Sequence, residues 1–187
     1  MSRFTLLLLW MVGLALPAPA LTHAGHFPPD MRVADGALVL NGEGTRTRMF
    51  IGLYQAALYL QGKQSDAAAI VAADAPMAIR LKIISTLLTS DKMESATREG
   101  FAKSIAGDDS ALASRIEQFI DVFRSKINAD DVYDFVYQPG AGTSVSKNGA
   151  EITGIDGLDF KQALFGIWLG PEPAQRVLKD GLLDKIE

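Results

Sequence analysis

The stretch NGEGTRTRMFIGLYQAALYLQG, from Asn41 to Gly62, carries two partly alternating runs, TRTRMFIGL and YQAALYLQ, with Gly52 between them. Period-two alternation rich in β-branched and aromatic residues is the pattern of strands, and an interior glycine marks a bulge or bend. The stretch opens on a turn, Asn41-Gly42, which ends a shorter strand, ALVLNG. It then places Arg46 where an apolar or neutral residue would serve equally well. What that cation does is the first question.

Before this stretch, HFPPDMRVADG reads as a proline-containing lead-in. After it, SDAAAIVAADAP reads as a short helix with Ser65 as N-cap and Pro76 as the stop. MAIRLKIIST alternates, with Met77, Ile79, Leu81 and Ile83 on one face, which predicts a half-buried strand. LTSDKMESATREGFAKSIAG opens with Asp91 and Glu94 in capping-box spacing, and Met93, Ala96, Thr97, Gly100, Phe101 and Ser104 share one inward face. A second helix, capped by Ser110, carries Leu112, Ile116, Phe119, Ile120 and Phe123 as its stripe. DVYDFVYQPGAG alternates again, putting Tyr133 and Tyr137 against a helix, and TSVSKNGAEITGI is a hairpin turning on Asn148-Gly149. LDFKQALFGIWLGPEP is a helix stopped by Gly170-Pro171, with a last amphipathic helix from about Ala174. Early strands, paired helices, a hairpin and closing helices predict an α+β domain, an antiparallel sheet covered on one face by helices.

Composition narrows the function. Residues 1–24 combine Arg3, an apolar run from Phe4 to Leu16 and small residues, the pattern of a secretory signal cleaved after Ala20 or Ala24, which predicts a periplasmic or secreted protein. The apolar run is shorter than the ~20 residues of a bilayer span, so no integral membrane segment is expected once it is removed. Residues 25–187 form one domain of ordinary size. Without Arg3 the chain has 17 basic against 22 acidic residues, a net charge of −5, and no basic block, which argues against nucleic acid and anionic membrane as partners. There is no cysteine, and the two histidines, His23 and His26, precede the domain. Histidine-dependent triads and Cys/His zinc sites are therefore excluded. The carboxylates Asp108, Asp109, Glu117 and Asp121 are spaced outward, so no metal is expected. No nucleotide-binding glycine motif is present, and no cofactor is expected.

The ordered set NGEGTR, AALYL, LTSDKMESATREG, the hairpin and ALFGIWLG resembles the chalcone isomerase family, particularly its bacterial chalcone isomerase-like members, from about Val33 to Leu183. The resemblance implies an open-faced β-sandwich, a large antiparallel sheet with a helical layer on one face and a ligand cleft between them. It also implies two kinds of relative: enzymes that cyclise chalcones without a cofactor, and fatty-acid-binding members that keep the cleft and lose the reaction. Active members bind the phenolate with an arginine on the strand after the glycine-rich turn, and Arg46 matches it. The other catalytic positions depart from the pattern. The strand threonine corresponds to Tyr54, the helix tyrosine to Met93, the helix asparagine to Gly100, and the last-helix hydroxyl residue to Ile167. Met93, Gly100 and Ile167 cannot hydrogen-bond a ketone or its water through their side chains, and losing one such donor costs about a hundredfold or more in rate.

The expected site is thus an apolar wall of Met93, Gly100, Phe101 and Ile167, with Phe165 or Trp168 nearby and Arg46 and Tyr54 as its polar end. That composition suits a small amphipathic carboxylate, fatty-acid-like, or a phenolic ligand. A tightly packed core without a cavity has the same sequence signature. Two further functions remain open: a cofactor-independent isomerase or intramolecular lyase organised by Arg46, and a non-catalytic interaction domain in which Arg46 bonds the Gly42–Gly44 carbonyls. On the strand pattern alone, Arg46 also reads as a solvated edge-strand residue.

Overall fold

The structure is a computed structural model that describes residues 27–34, 36–105, 107 and 109–185. The leader expected over residues 1–24, His23, His26 and Asp108 lie outside the described residues.

Seven strands pair in sequence order, each antiparallel to the next: β1 (Asp30–Val33), β2 (Gly36–Arg48), β3 (Ile51–Leu60), β4 (Met77–Ile83), β5 (Val132–Gln138), β6 (Gly142–Lys147) and β7 (Ala150–Ile155). Helices α1 (Ala67–Ala72), α2 (Ser90–Ser104), α3 (Ala113–Ile120), α4 (Leu158–Leu169) and α5 (Arg176–Leu182) complete the α+β domain. The alternation works as expected. Met77, Ile79, Leu81 and Ile83 of β4 and Tyr133, Phe135 and Tyr137 of β5 are buried beneath the helices, in one core with Phe101, Phe119, Phe160, Phe165 and Leu169. A smaller cluster of Phe27, Met31, Leu38, Ala57, Tyr59 and Ala78 lies on the opposite face, which no described helix covers. No described helix is long and apolar enough to cross a membrane.

The opening stretch folds differently from its expected form. Asn41-Gly42 is not a turn: β2 runs through it, and the ladder with β3 slips between Leu40 and Gly42. Leu38 pairs with Met31 and belongs to the open-face cluster, whereas Gly42, Gly44 and Arg46 lie opposite Leu58, Ala56 and Tyr54, whose side chains enter the helix-side core. The extra residue at Asn41 reverses the alternation, so Arg46 faces the helices because of the bulge. The glycines serve α5. A Cβ on Gly42 would lie 2.3 Å from the Gly181 carbonyl oxygen, and one on Gly44 would lie 3.1 Å from Leu178 Cδ1.

Gly52 is likewise not the strand break. The chain reverses at Met49-Phe50, both at positive φ (48° and 68°), and Gly52 sits inside β3 beside a second slip, between Arg46 and Thr47, that leaves Leu53 unpaired in the ladder. The lead-in is also partly a strand, β1, whose preceding Pro28 carbonyl accepts a 3.0 Å hydrogen bond from the Tyr59 hydroxyl.

Three caps shift. Asp66, not Ser65, caps α1 by accepting from Ala68 N and Ala69 N at 3.0 and 3.1 Å. Thr89 occupies the N-cap of α2 and accepts from Lys92 N, ahead of the Asp91/Glu94 spacing. The N-cap position of α3 falls on Leu112 rather than Ser110. In the first two the carboxylate or hydroxyl nearest the first free amides takes the role, which residue spacing resolves only to a position or two. The β6–β7 turn is Asn148-Gly149 as expected, with φ of 53° and 80°.

Candidate functional site

A cavity of about 460 Å³ lies between the helix-side face of β2–β4 and helices α2 and α4. Arg46, Tyr54, Met93, Gly100 and Ile167 all line it, together with Trp168. Phe101 and Phe165 are buried in the core but are not in its wall.

Arg46 is placed by its own strand. The bulge at Asn41 turns it inward, and Gln175 holds the next residue by accepting from Thr47 N at 3.0 Å and donating to Thr47 Oγ1 at 2.9 Å. Its one side-chain hydrogen bond among the described residues is from Nη1 to the Thr47 carbonyl, at 3.2 Å, so the guanidinium does not bond the Gly42–Gly44 carbonyls. The other half-buried arginines are each neutralised. Arg80 forks onto Asp134 on the open face at 2.6 and 2.9 Å, and Arg115 forks onto Asp159 at 2.8 and 2.7 Å. Arg46 has no carboxylate partner among the described residues. A half-buried guanidinium at a cavity wall retains unused donors in a planar fork.

Tyr54 is the direct cross-strand partner of Arg46, so their Cβ atoms stand about 4.5–5.5 Å apart on the same face. Its hydroxyl accepts a 3.1 Å hydrogen bond from Trp168 Nε1. Burial pushes the phenol above its ordinary value, although the Trp168 hydrogen bond and the Arg46 charge oppose the shift. The phenol therefore stays protonated and keeps a donor, which has no acceptor among the described residues.

The apolar wall has a different origin from a lost polar site. Gly100 is where α2 crosses α4: a Cβ there would come 2.7 Å from Ile167 Cγ2. One turn later the Ser104 hydroxyl donates to the Ala163 carbonyl at 2.7 Å across the same crossing. Leu53, Leu81, Phe119 and Phe123 extend the wall inward. Sequence reasoning did not assign these to the cavity, because their apolar periodicity is equally that of plain core. It also missed Thr97 as a site residue. Thr97 is buried and lines the cavity one turn from both Met93 and Gly100, and its hydroxyl has no hydrogen-bond partner among the described residues. Its position on the inward face of α2 was legible, its hydroxyl's surroundings were not. Arg48, Lys92, Glu99 and Lys103 form the rim. Glu99 pairs with Lys103, which holds its carboxyl below the usual range, helped more weakly by Arg46 and Arg48.

No group of three or more His, Cys, Asp or Glu side chains able to hold a metal occurs among the described residues. Inside its charged rim the cavity offers the Arg46 guanidinium, the hydroxyls of Tyr54 and Thr97, and hydrocarbon.

The profile of the chalcone isomerase-like family matches residues 21–184, nearly the whole chain. The chain belongs to the chalcone isomerase-like family. Among solved structures, an Arabidopsis thaliana fatty-acid binding protein superposes with a TM-score of 0.67 at 18% identity, covering 84% of this chain and 91% of that one. At that identity the likeness concerns the fold. No curated protein sequence matches the chain.

Proposed function

We propose that this chalcone isomerase-like protein binds a small amphipathic carboxylate of the fatty-acid type, or a phenolate of similar shape, with its anionic end on Arg46. Arg46 carries the reading, as the half-buried arginine that lines an apolar cavity and makes no ion pair among the described residues, the rim carboxylate Glu99 being paired with Lys103. Tyr54 supplies a hydroxyl beside it and Thr97 another in the same cavity, and Met93, Leu81, Phe119 and Ile167 take the tail. A cavity of about 460 Å³ lies within the range of roughly 300–1,000 Å³ usual for small-molecule sites. The name of the Arabidopsis neighbour, a fatty-acid binding protein of the same fold, supports a carboxylate as ligand.

Native mass spectrometry and thermal unfolding of wild type and Arg46→Ala test this. The wild type should carry an acid or take one up. At a free ligand concentration a hundredfold above Kd it should gain about 2.7 kcal/mol, a shift of several degrees in Tm for a domain of this size. Arg46→Ala should lose ten- to a hundredfold in affinity, the value of a charge-assisted hydrogen bond of about 1.5–3 kcal/mol, with little change in its ligand-free Tm. A wild type that is empty and ignores both fatty acids and phenolics sinks the proposal.

The proposal includes export to the periplasm or beyond, supported by Arg3, the Phe4–Leu16 run and the small residues before Ala20 and Ala24. The intact mass of the protein recovered from its host should show a chain starting at Leu21 or Gly25, whereas a full-length cytoplasmic chain would refute export.

An intramolecular lyase is the second reading, favoured by the hydroxyls of Tyr54 and Thr97 in one cavity with Arg46. It requires Tyr54→Phe to abolish turnover while leaving acid binding within a few fold. Pure binding requires no turnover from either chain.

A further inference from the structure

We propose that the mouth of this cavity docks on an anionic lipid surface, with the β2–β3 hairpin tip seated among acyl chains and the basic rim on the headgroups. The proposal rests on the acid-binding reading and names where the acid is exchanged.

The hairpin tip is the first observation. Met49 and Phe50 are 84% and fully exposed, with both backbones in the left-handed region. A two-residue turn of that shape favours Asn-Gly, because a Cβ resists positive φ. The same chain uses Asn148-Gly149 for its β6–β7 turn, at φ of 53° and 80°. Turn formation therefore does not explain two large apolar side chains at the β2–β3 tip.

The surroundings extend the patch. Ile51, Ile84 and Leu87 are also exposed, so five of the eight exposed large apolar residues among those described lie in this region. Ile84 joins the hairpin directly, its amide donating to the Leu53 carbonyl at 3.1 Å and its Cδ1 lying 2.9 Å from where a Gly52 Cβ would stand. Met49, Ile51 and Leu87 line the cavity as well, so patch and cavity are continuous.

Charge selects the occupant. Arg46, Arg48, Lys92 and Lys103 line this end of the cavity against Glu99 alone, whereas the whole chain carries −4. Lys92 is held at the patch by its bond to the Leu87 carbonyl, 2.8 Å. A locally basic, apolar-tipped mouth on an acidic protein is complementary to anionic headgroups over hydrocarbon. An acid could then pass between bilayer and cavity without crossing water.

Flotation of the acid-free protein with vesicles tests the docking, one set of phosphatidylcholine and another also containing phosphatidylglycerol. The wild type should float with the anionic set, less with the neutral one, and less at about 1 M salt, where screening sets in beyond ~3 Å. Phe50→Gly places a residue suited to φ 68° at the tip and touches no cavity wall. It should lower vesicle partition about tenfold or more, the scale of losing one buried Phe side chain, while palmitate binding in solution and the ligand-free Tm hold. A wild type that binds palmitate yet floats with neither set overturns the docking and leaves acid binding intact. One that floats but takes no palmitate retires the acid reading and keeps the surface. Sedimentation as a dimer that Phe50→Gly disperses would make the tip a self-interface and also overturn the docking.

Discussion

Arg46 and Tyr54 are cross-strand neighbours whose chemistry is divided between a permanent cation and a phenol kept neutral by burial. Neither is a base at physiological pH, so the pair suits holding an anion better than removing a proton. Arg46 was legible through the family resemblance, which matched it to the strand arginine; flanked by Thr45 and Thr47, its pattern alone reads as a solvated residue. Its orientation was not, since that depends on the bulge before it. Gly100 shows the reverse. As a departure from the enzyme pattern it was legible, but its reason is the close crossing of α2 over Ile167. Gly100→Asn should therefore destabilise the fold. The overpacking costs about 1–3 kcal/mol, and Ile167 cannot easily turn away because its χ1 is stiff. The helix-propensity gain over glycine returns less than about 1 kcal/mol. A lower urea midpoint with an unchanged slope is the expected result.

At the scale of elements, the β2 bulge is the joint on which the site depends. Asn41 is buried, donates from Nδ2 to the Leu182 carbonyl at 2.8 Å and accepts from Gln64 N at 2.8 Å, while Lys63 Nζ bonds its carbonyl at 2.9 Å. One side chain thereby ties the bulge to the C-terminal end of α5 and to the loop between β3 and α1. Asn41→Ala leaves the Leu182 carbonyl unsatisfied in a buried setting, at about 1–3 kcal/mol, and releases the amide of the exposed Gln64 to solvent. Its Tm should fall, and acid affinity should fall with it as β2 loosens around Arg46. An unchanged Tm would mean that the Gly42–Gly181 contact alone maintains the bulge. Asn-Gly is a strong local turn signal, and at 148–149 it was read correctly. At 41–42 the same dipeptide lies within a strand because α5, far along the chain, packs onto the glycine and bonds the asparagine.

At the scale of the whole molecule, Lys161 joins helices distant in sequence. It is fully buried on α4, and its Nζ donates to the carbonyls of Ile70, Val71 and Ala73 at 2.9, 2.8 and 2.7 Å, satisfying acceptors at the C-terminal end of α1. Burial lowers the ammonium to about 8 from 10.5, with Asp74 opposing. Between those values the unfolded chain binds more protons than the folded one, so Lys161 contributes a stability that rises with pH across the window and is flat below it. Lys161→Met should remove that slope from denaturant midpoints measured between pH 8 and 10.5, and cost about 2 kcal/mol or more through the orphaned carbonyls. A slope equal to wild type would show that other groups set it. Net charge misleads at this scale in the same way: an acidic chain without a basic block places Arg46, Arg48, Lys92 and Lys103 around one mouth. Alternation, turn residues and helical stripes are local, set by the periods of strand and helix, so the sequence by itself determined the α+β class, the strands β4 to β7, the helices and the inward face of α2. Bulge position, strand register, the space left between α2, α4 and the sheet, and the neighbours of each buried polar group arise from contacts between segments far apart in the chain. Only the tertiary structure decided that Arg46 faces a cavity, and that it does so without an ion pair among the described residues.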